Sequence, residues 1–344
     1  MPCFRRTPRR ELKEQDIRPS NIFDRYLQLT AADAETFFAD RSLFQGVPCP
    51  ACQTPGTGAS FVKHGFEYQH CGVCGTLYVS PRPSSEALAA FYGDSPSATY
   101  WADVFFPASI EARKLQIFAP RVERLIQVLE TARLDPRTII DVGAGYGLFL
   151  DAYRARRPGT TLLAVEPGRK LAAICREKGY ETLEEPVESA DAWHGRGDLA
   201  VCFEVLEHVF EPVAFVEAMS SLLRPGGYVL VSSLSADGFD IQVLWDRSRS
   251  VSPPHHLNFM SVSGFERLFA RAGLTDIQVL TPGRLDVDIV RGALASDPSV
   301  VQNRFLRLLL SRGGDVLDGF QRFLADNRLS SHAWVLAHKA EASV

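Results

Sequence analysis

The sequence predicts an α/β fold: a largely parallel sheet with helices on both faces, carried behind a small cysteine-built module. Three observations point there. From Arg137 onward, short apolar runs alternate with amphipathic segments, the pattern of strands joined by crossover helices. Inside that region Asp141-Val142-Gly143-Ala144-Gly145-Tyr146-Gly147 follows a β-branched run and opens a helix, which puts a glycine turn where such sheets meet their ligands. Ahead of it, residues 45–83 hold two CxxC pairs in a stretch rich in Gly and Pro, a composition that builds a loop-rich metal module.

Composition bounds the rest. The chain has 344 residues, 46% hydrophobic and 23% charged, which is globular, and too long for one core at roughly 250–300 residues per core. The formal net charge of −4 supplies no basic field, so coating a nucleic acid is disfavoured. No run nears the roughly 18 apolar residues of a membrane span, and the first residues lack an apolar signal core. These features predict a cytoplasmic protein without a membrane partner. There are seven cysteines; in a reducing compartment, paired spacings point to metal or redox chemistry before disulfides. Cys3 has no apolar run before it and reads as incidental.

In chain order, residues 1–44 read as a polar leader with a basic stretch, Arg5 to Arg10, and one short helical stretch around Ala31 to Phe38. Residues 45–83 form the cysteine module, with β-like runs at Ser60 to Val62 and Thr76 to Ser80. Residues 84–136 read as a helical connector, Ser85 to Tyr92 and then Pro107 to Thr131. Residues 137–344 form the sheet domain. Its strands are expected at Ile139 to Val142, Thr161 to Glu166, Leu199 to Phe203, Tyr228 to Ser232 and Ile277 to Leu280, with helices at Leu148 to Arg156, Leu171 to Lys178 and Pro212 to Leu223. Pro225-Gly226-Gly227 is the turn that ends a helix and launches a strand. A helical insertion is expected at about 298–326, and the last apolar run, Trp334 to His338, as an edge strand. Phe265 to Phe269 and Phe305 to Leu310 have the spacing of buried helix faces. Cys175 and Cys202 read as small apolar fillers.

Cys49-x-x-Cys52 and Cys71-x-x-Cys74 stand eighteen residues apart, the spacing of a four-cysteine zinc site. Four thiolates leave no open position on the ion, so the expected zinc is structural, and it supplies folding energy to a module too small for a core of its own. His64 and His70 are surplus to a full set.

In the glycine motif the third glycine is one residue early for a dinucleotide fingerprint, and Asp141 would repel a pyrophosphate but attract a ligand that carries an ammonium. Glu166 follows Gly147 by nineteen positions, where a carboxylate can accept from both hydroxyls of a ribose. Asp141, Gly143, Gly145 and Gly147 together resemble the acid-x-Gly-x-Gly-x-Gly motif of class I S-adenosylmethionine-dependent methyltransferases. Phe203-Glu204-Val205-Leu206-Glu207-His208-Val209 and Leu223-Arg224-Pro225-Gly226-Gly227 extend the likeness over about residues 137–280. The resemblance implies a Rossmann-like seven-stranded sheet whose last strand is antiparallel. It also implies S-adenosylmethionine as methyl donor, with Asp141, the three glycines, Glu166 and Glu204 lining its site.

The four-cysteine module joined to such a domain is similar to the sugar C-methyltransferases of deoxysugar pathways and to related proteins of surface-polysaccharide pathways. Their His-x-His-Phe-Ser-Tyr-Phe-Ser segment over the acceptor corresponds to Pro254-His255-His256-Leu257-Asn258-Phe259-Met260-Ser261, within an acceptor lid of about 234–261. His256 takes the place of the second histidine and Pro254 that of the first, so carbon, oxygen and nitrogen remain possible methyl acceptors. His256, His208 and His255 are the proton-acceptor candidates, since an ordinary histidine titrates near 6.5. Of these His256 is expected to be the base, without a divalent ion. Glu204, Glu207 and His208 also resemble the divalent-metal set of ubiquinone-pathway O-methyltransferases and small-RNA 2′-O-methyltransferases; in other relatives the same letters only border the donor pocket.

The expected function is methyl transfer to a small molecule, a sugar, nucleotide sugar or glycan. Two alternatives stay open: an RNA methyltransferase that grips its substrate with the zinc module, and a non-catalytic donor-binding protein.

Overall fold

The computed structural model describes residues 12–58 and 60–341; Cys3 and the Arg5 to Arg10 stretch lie outside them. Two sheets organise the chain. The larger has seven strands, here β4 (Thr138–Val142), β5 (Thr161–Val165), β6 (Glu181–Leu183), β7 (Gly197–Phe203), β8 (Leu223–Leu234), β10 (Leu274–Leu280) and β11 (His332–Lys339), in the order β10-β11-β8-β7-β4-β5-β6. Strand β4 is parallel to both β5 and β7. The chain leaves β4 toward β5 on one side and returns to β7 on the other, so the carboxyl ends of β4 and β7 border the crevice where such sheets bind ligands. Ile139, Ile140 and Val142 are buried, as a central parallel strand covered on both faces requires.

The last strand is not at the edge as the sequence suggested. β11 lies antiparallel between β8 and β10. Its residues Ala333 through Ala337 are all buried, whereas β10 buries only Leu274 and Val279, so the more apolar run takes the interior. The short edge strand β6 has no apolar signature and went unforeseen.

The smaller sheet consists of β1 (Phe61–Lys63), β2 (Phe66–His70), β3 (Leu77–Val79) and β9 (Asn258–Phe259), in the order β1-β2-β3-β9. The first three belong to the cysteine module and the fourth to the segment 234–261, the expected lid. The register pairs Leu77 with Phe259 and Tyr78 with Asn258. Arg82, fully buried, donates to Val79 O at 2.9 Å, Phe210 O at 2.9 Å and Asn258 Oδ1 at 3.1 Å. A guanidinium in that position satisfies module, lid and the loop after β7 together.

Two further corrections concern helices. Instead of a short helix at 31–38, residues Ser20–Phe37 form one helix that buries Phe23, Tyr26 and Ala34; its inward stripe includes Thr30 and Asp33, which hides the periodicity. Asp33 is useful there, accepting from Ser97 N at 2.8 Å. The Phe265 to Phe269 segment is core as expected, but Phe305 and Leu308 are exposed, and of that second segment only Leu310 is buried.

Candidate active site

The glycine loop starts where β4 ends. Gly143, Gly145 and Gly147 all have positive φ, +75°, +54° and +67°, a conformation glycine adopts without strain. A Cβ on Gly143 would lie 2.7 Å from Val205 Cγ2, while one on Gly145 would meet nothing within 4 Å. The loop is therefore pinned on one side and open on the other. Glu166 closes the base of this opening: its Oε2 accepts from Gly145 N at 2.7 Å and its Oε1 from Gly168 N at 2.8 Å. Burial raises the Glu166 carboxyl and the two amides draw it back. Asp141 is buried, and desolvation, partly opposed by Arg121, pushes its pKa up to about 8. Above the loop lies the helical segment Pro96–Phe118, in which Phe106 stacks on Tyr146 at 4.7 Å and Tyr146 Oη donates to Ala102 O.

Glu204 follows β7 at a positive φ of 59°, an uncommon conformation for a non-glycine residue. Three donors converge on one of its oxygens. Oε1 accepts from Ser232 Oγ at 2.5 Å and stands 3.3 Å from both Arg121 Nη2 and His332 Nδ1. Trp334 Nε1 donates to His332 Nε2 at 3.0 Å, which leaves Nδ1 as the protonated nitrogen that faces Glu204. Burial alone would raise the Glu204 carboxyl, but His332, Arg121 and Ser232 together hold it below the ordinary range.

Next to it, Glu207 is buried and accepts from Ser233 Oγ at 2.8 Å; desolvation and the neighbouring Glu204 push its carboxyl up to about 8. His208 and His256 meet edge to face with ring centroids 4.8 Å apart. Each has its Nδ1 on a backbone carbonyl, His255 O at 2.9 Å and Ser250 O at 2.5 Å. A ring that donates through Nδ1 keeps its lone pair on Nε2. Burial lowers both, His208 to about 4 and His256 to about 3, so both are neutral at ordinary pH. One ligand atom each from Glu207, His208 and His256 lies within 4.8 Å of the others. His255 is placed differently: its Nε2 is 3.0 Å from Ser97 Oγ and its ring packs on Phe91, Tyr92 and Tyr26. Its ring belongs to the aromatic core and not to the edge-to-face pair of His208 and His256, contrary to the expected role as a proton acceptor.

The four cysteine sulfurs also lie within 4.8 Å of one another, with Cys49 to Cys74 and Cys52 to Cys71 at 3.5 Å. A tetrahedron with bonds of about 2.3 Å has edges of roughly 3.8 Å, so the set fits a zinc ion. The two knuckles are the same turn twice. Cys49 N donates to Thr54 O and Gln53 N to Cys49 O; Cys71 N donates to Thr76 O and Gly75 N to Cys71 O.

Arg121, Ser232 and His332 were missed in the sequence. They come from a helix before the glycine motif and strands after it, and no local motif announces them; the position of His332 just ahead of the last apolar run was the one available signal.

Residues 112–279 match the model of a family described as a methyltransferase domain. The chain carries a class I S-adenosylmethionine-dependent methyltransferase domain. The methyltransferase segment is similar to ubiquinone biosynthesis O-methyltransferases. To that of Azotobacter vinelandii it is 33% identical over 119 residues, 33% of this chain and 50% of the relative. To that of Escherichia coli it is 34% identical over 109 residues, 30% and 45% of the two chains. The chain thus spans about half the length of these relatives. Among solved structures, an S-adenosylmethionine-dependent methyltransferase from Archaeoglobus fulgidus is 13% identical with a TM-score of 0.47, covering 69% of this chain and 100% of its own.

Proposed function

We propose that this protein transfers a methyl group from S-adenosylmethionine to a small-molecule acceptor of the sugar, nucleotide-sugar or glycan class, and that His256 receives the acceptor's proton. The observation that carries this reading is an open glycine loop at the end of β4, braced by Glu166, together with His256, whose ring packs on His208 in the loop after β7 and whose Nδ1 is held by Ser250 O. The donor brings a methyl group on a sulfonium; the protein's part is to hold two substrates in line and accept one proton. The names of the similar O-methyltransferases favour a hydroxyl as accepting group, and the lid segment around His256 favours a sugar. A radiolabelled-donor screen against nucleotide sugars tests the assignment; transfer only to RNA, or donor binding with no transfer to any acceptor, would refute it.

At the donor site, Glu166 is assigned to the ribose hydroxyls and Asp141 to the methionine ammonium. Since Glu166 also ties Gly145 to Gly168, its replacement acts twice. Glu166→Ala is expected to weaken S-adenosylhomocysteine binding at least tenfold by calorimetry, from hydrogen bonds to a charged group worth about 1.5–3 kcal/mol each. Unchanged affinity would remove Glu166 from the site.

Asp141 gives a pH dependence. Its folded pKa of about 8 lies above the ordinary 3.8, so the free folded chain holds an extra proton between those values and loses stability as pH rises through them. An ammonium beside the carboxylate offsets that loss. Stabilisation by saturating S-adenosylhomocysteine in a thermal melt is therefore expected to be larger at pH 8 than at pH 6, and Asp141→Asn to abolish the difference.

A second reading of the acceptor side is favoured by one observation, the convergence of Glu207, His208 and His256. A carboxylate and two neutral imidazoles anchored through Nδ1 suit a divalent ion, which would polarise an acceptor hydroxyl. Glu204 is not part of that set, because Arg121, Ser232 and His332 already occupy its Oε1.

A further inference from the structure

Between β10 and β11 the chain makes an excursion at the carboxyl edge of the sheet. Its root is tied by Asp286, which accepts from Ser330 Oγ at 2.5 Å and Ser331 N at 2.6 Å. Its outer part is two helices, Arg304–Leu310 and Gly314–Asp326. They have a filled inner side, where Leu306, Leu310, Leu317, Phe320 and Leu324 pack with Val287 and Val290. They also have an outer apolar set: Phe305 is 71% exposed, Leu308 50%, Val316 48% and Phe323 53%. Single exposed apolar residues are ordinary, but Phe305 and Leu308, three positions apart on the first helix, lie on one face of it.

The charges around it identify the occupant. From Pro298 to Gly314 there are three arginines, Arg304, Arg307 and Arg312, and no acid, in a chain whose net charge is −4. All three are exposed. Arg307 donates to Val301 O and Pro298 O, which ties its guanidinium to the backbone just ahead of the helix. Acids flank this stretch, Asp297 just before it and Asp315, Asp318 and Asp326 in the second helix. A short helix that sets Phe and Leu between arginines matches a surface that is apolar inside and anionic at its rim. The exposure of Phe305 argues the same way, since a side chain that projects this far finds a place in a fluid layer without a matching pocket. Self-association about a two-fold axis would instead set the arginines of one copy against those of the other.

We propose that this face rests on an anionic phospholipid bilayer, Phe305 and Leu308 entering the acyl boundary and Arg304, Arg307 and Arg312 meeting the headgroup phosphates. No helix of the described residues is long and apolar enough to cross a membrane, and none is needed for a contact of this kind. The excursion starts and ends at the edge that holds Glu204 and His332, so the docked chain would have its acceptor side next to the lipid. The inference stands apart from the choice of acceptor.

Flotation of the full chain with phosphatidylcholine vesicles, with and without phosphatidylglycerol, tests it. Binding is expected to the anionic vesicles and to fall in high salt. Arg304→Ser with Arg312→Ser should lower partitioning about 30-fold, at roughly 1 kcal/mol or fivefold per arginine. Phe305→Ser with Leu308→Ser should lower it at least about tenfold. Both pairs should keep the thermal shift with S-adenosylhomocysteine, which shows that the fold and donor site are intact. A parent chain that stays unbound overturns the proposal, as does undiminished binding by either pair. If light scattering shows a dimer that Phe305→Ser with Leu308→Ser dissolves while vesicles are ignored, the face joins two copies and the bilayer is excluded.

Discussion

Replacing His256 by Ala is expected to lower methyl transfer by about 10²–10⁴ while leaving donor affinity nearly unchanged. The imidazole has its Nδ1 on Ser250 O, so its Nε2 carries a lone pair in a fixed direction, and the ring is neutral because burial takes its pKa to about 3. Two consequences follow from that neutrality. The base needs no prior deprotonation anywhere near pH 7, so the acid limb of the rate profile should fall well below the ordinary histidine range of about 6.5. Its intrinsic basicity is also weak, which puts a premium on the orientation that Ser250 and the lid strand enforce. His208→Ala removes the ring packed edge to face on His256 and should cost less.

The divalent-ion reading makes a different forecast with the same variants. There Glu207→Ala, His208→Ala and His256→Ala would be equally damaging, chelation would stop transfer, and Mg²⁺ would restore it. With His256 as a metal-free base, turnover survives EDTA and only His256→Ala is severe. Glu204→Ala separates the cases further: it unpairs Arg121 and His332 in either mechanism, and so should lower the melting temperature as well as the rate.

Cys49→Ser combined with Cys71→Ser is expected to abolish both zinc content and activity. Together the changes remove one thiolate from each knuckle, and the two sulfurs left cannot hold a structural zinc whose binding contributes about 10–16 kcal/mol in small modules, as much as most domains have in total. The loss should not stop at the module. β3 is the partner of β9, Tyr68 Oη donates to His256 O at 2.6 Å, and Ser261 Oγ donates to Cys74 O. The cysteine set is thus tied to the segment that carries His256 through β3, Tyr68 and Ser261. Elemental analysis should find one zinc per parent chain and none in the variant. If the variant does not fold, titration of the parent with a mercurial should release the zinc as four thiols react. A parent chain without zinc, or a double variant that retains it, would overturn the assignment.

Most of the sheet domain is legible in the sequence because parallel strands buried on both faces must be continuously apolar, and the helices between them cannot be. The helix Leu148–Arg156 lies where the alternation puts it, and β4, β5 and β7 differ from expectation by one or two residues at their ends. The glycine turn is legible for a similar reason: three residues at positive φ within five positions leave little choice but glycine. Glu166 is found by its distance along the chain, since strand length and helix length set the spacing between the ends of β4 and β5. The cysteine set is legible because two tight turns fix two sulfurs each, whatever surrounds them.

What the sequence could not decide is everything that depends on elements far apart in the chain. β11 enters the sheet interior because its side chains are more apolar than those of β10, a comparison that matters only once both compete for the same place. Glu204 becomes a fixed anion because Arg121 reaches it from eighty-three positions earlier and His332 from far downstream. His255 and His256 are adjacent and chemically identical in the sequence. The structure separates them, placing one ring among Phe91, Tyr92 and Tyr26 and the other beside His208. Local constraints such as backbone sterics, strand length and ligand spacing act over a few residues and leave a readable trace. Burial and charge pairing are properties of the completed packing, so only the tertiary structure assigns them.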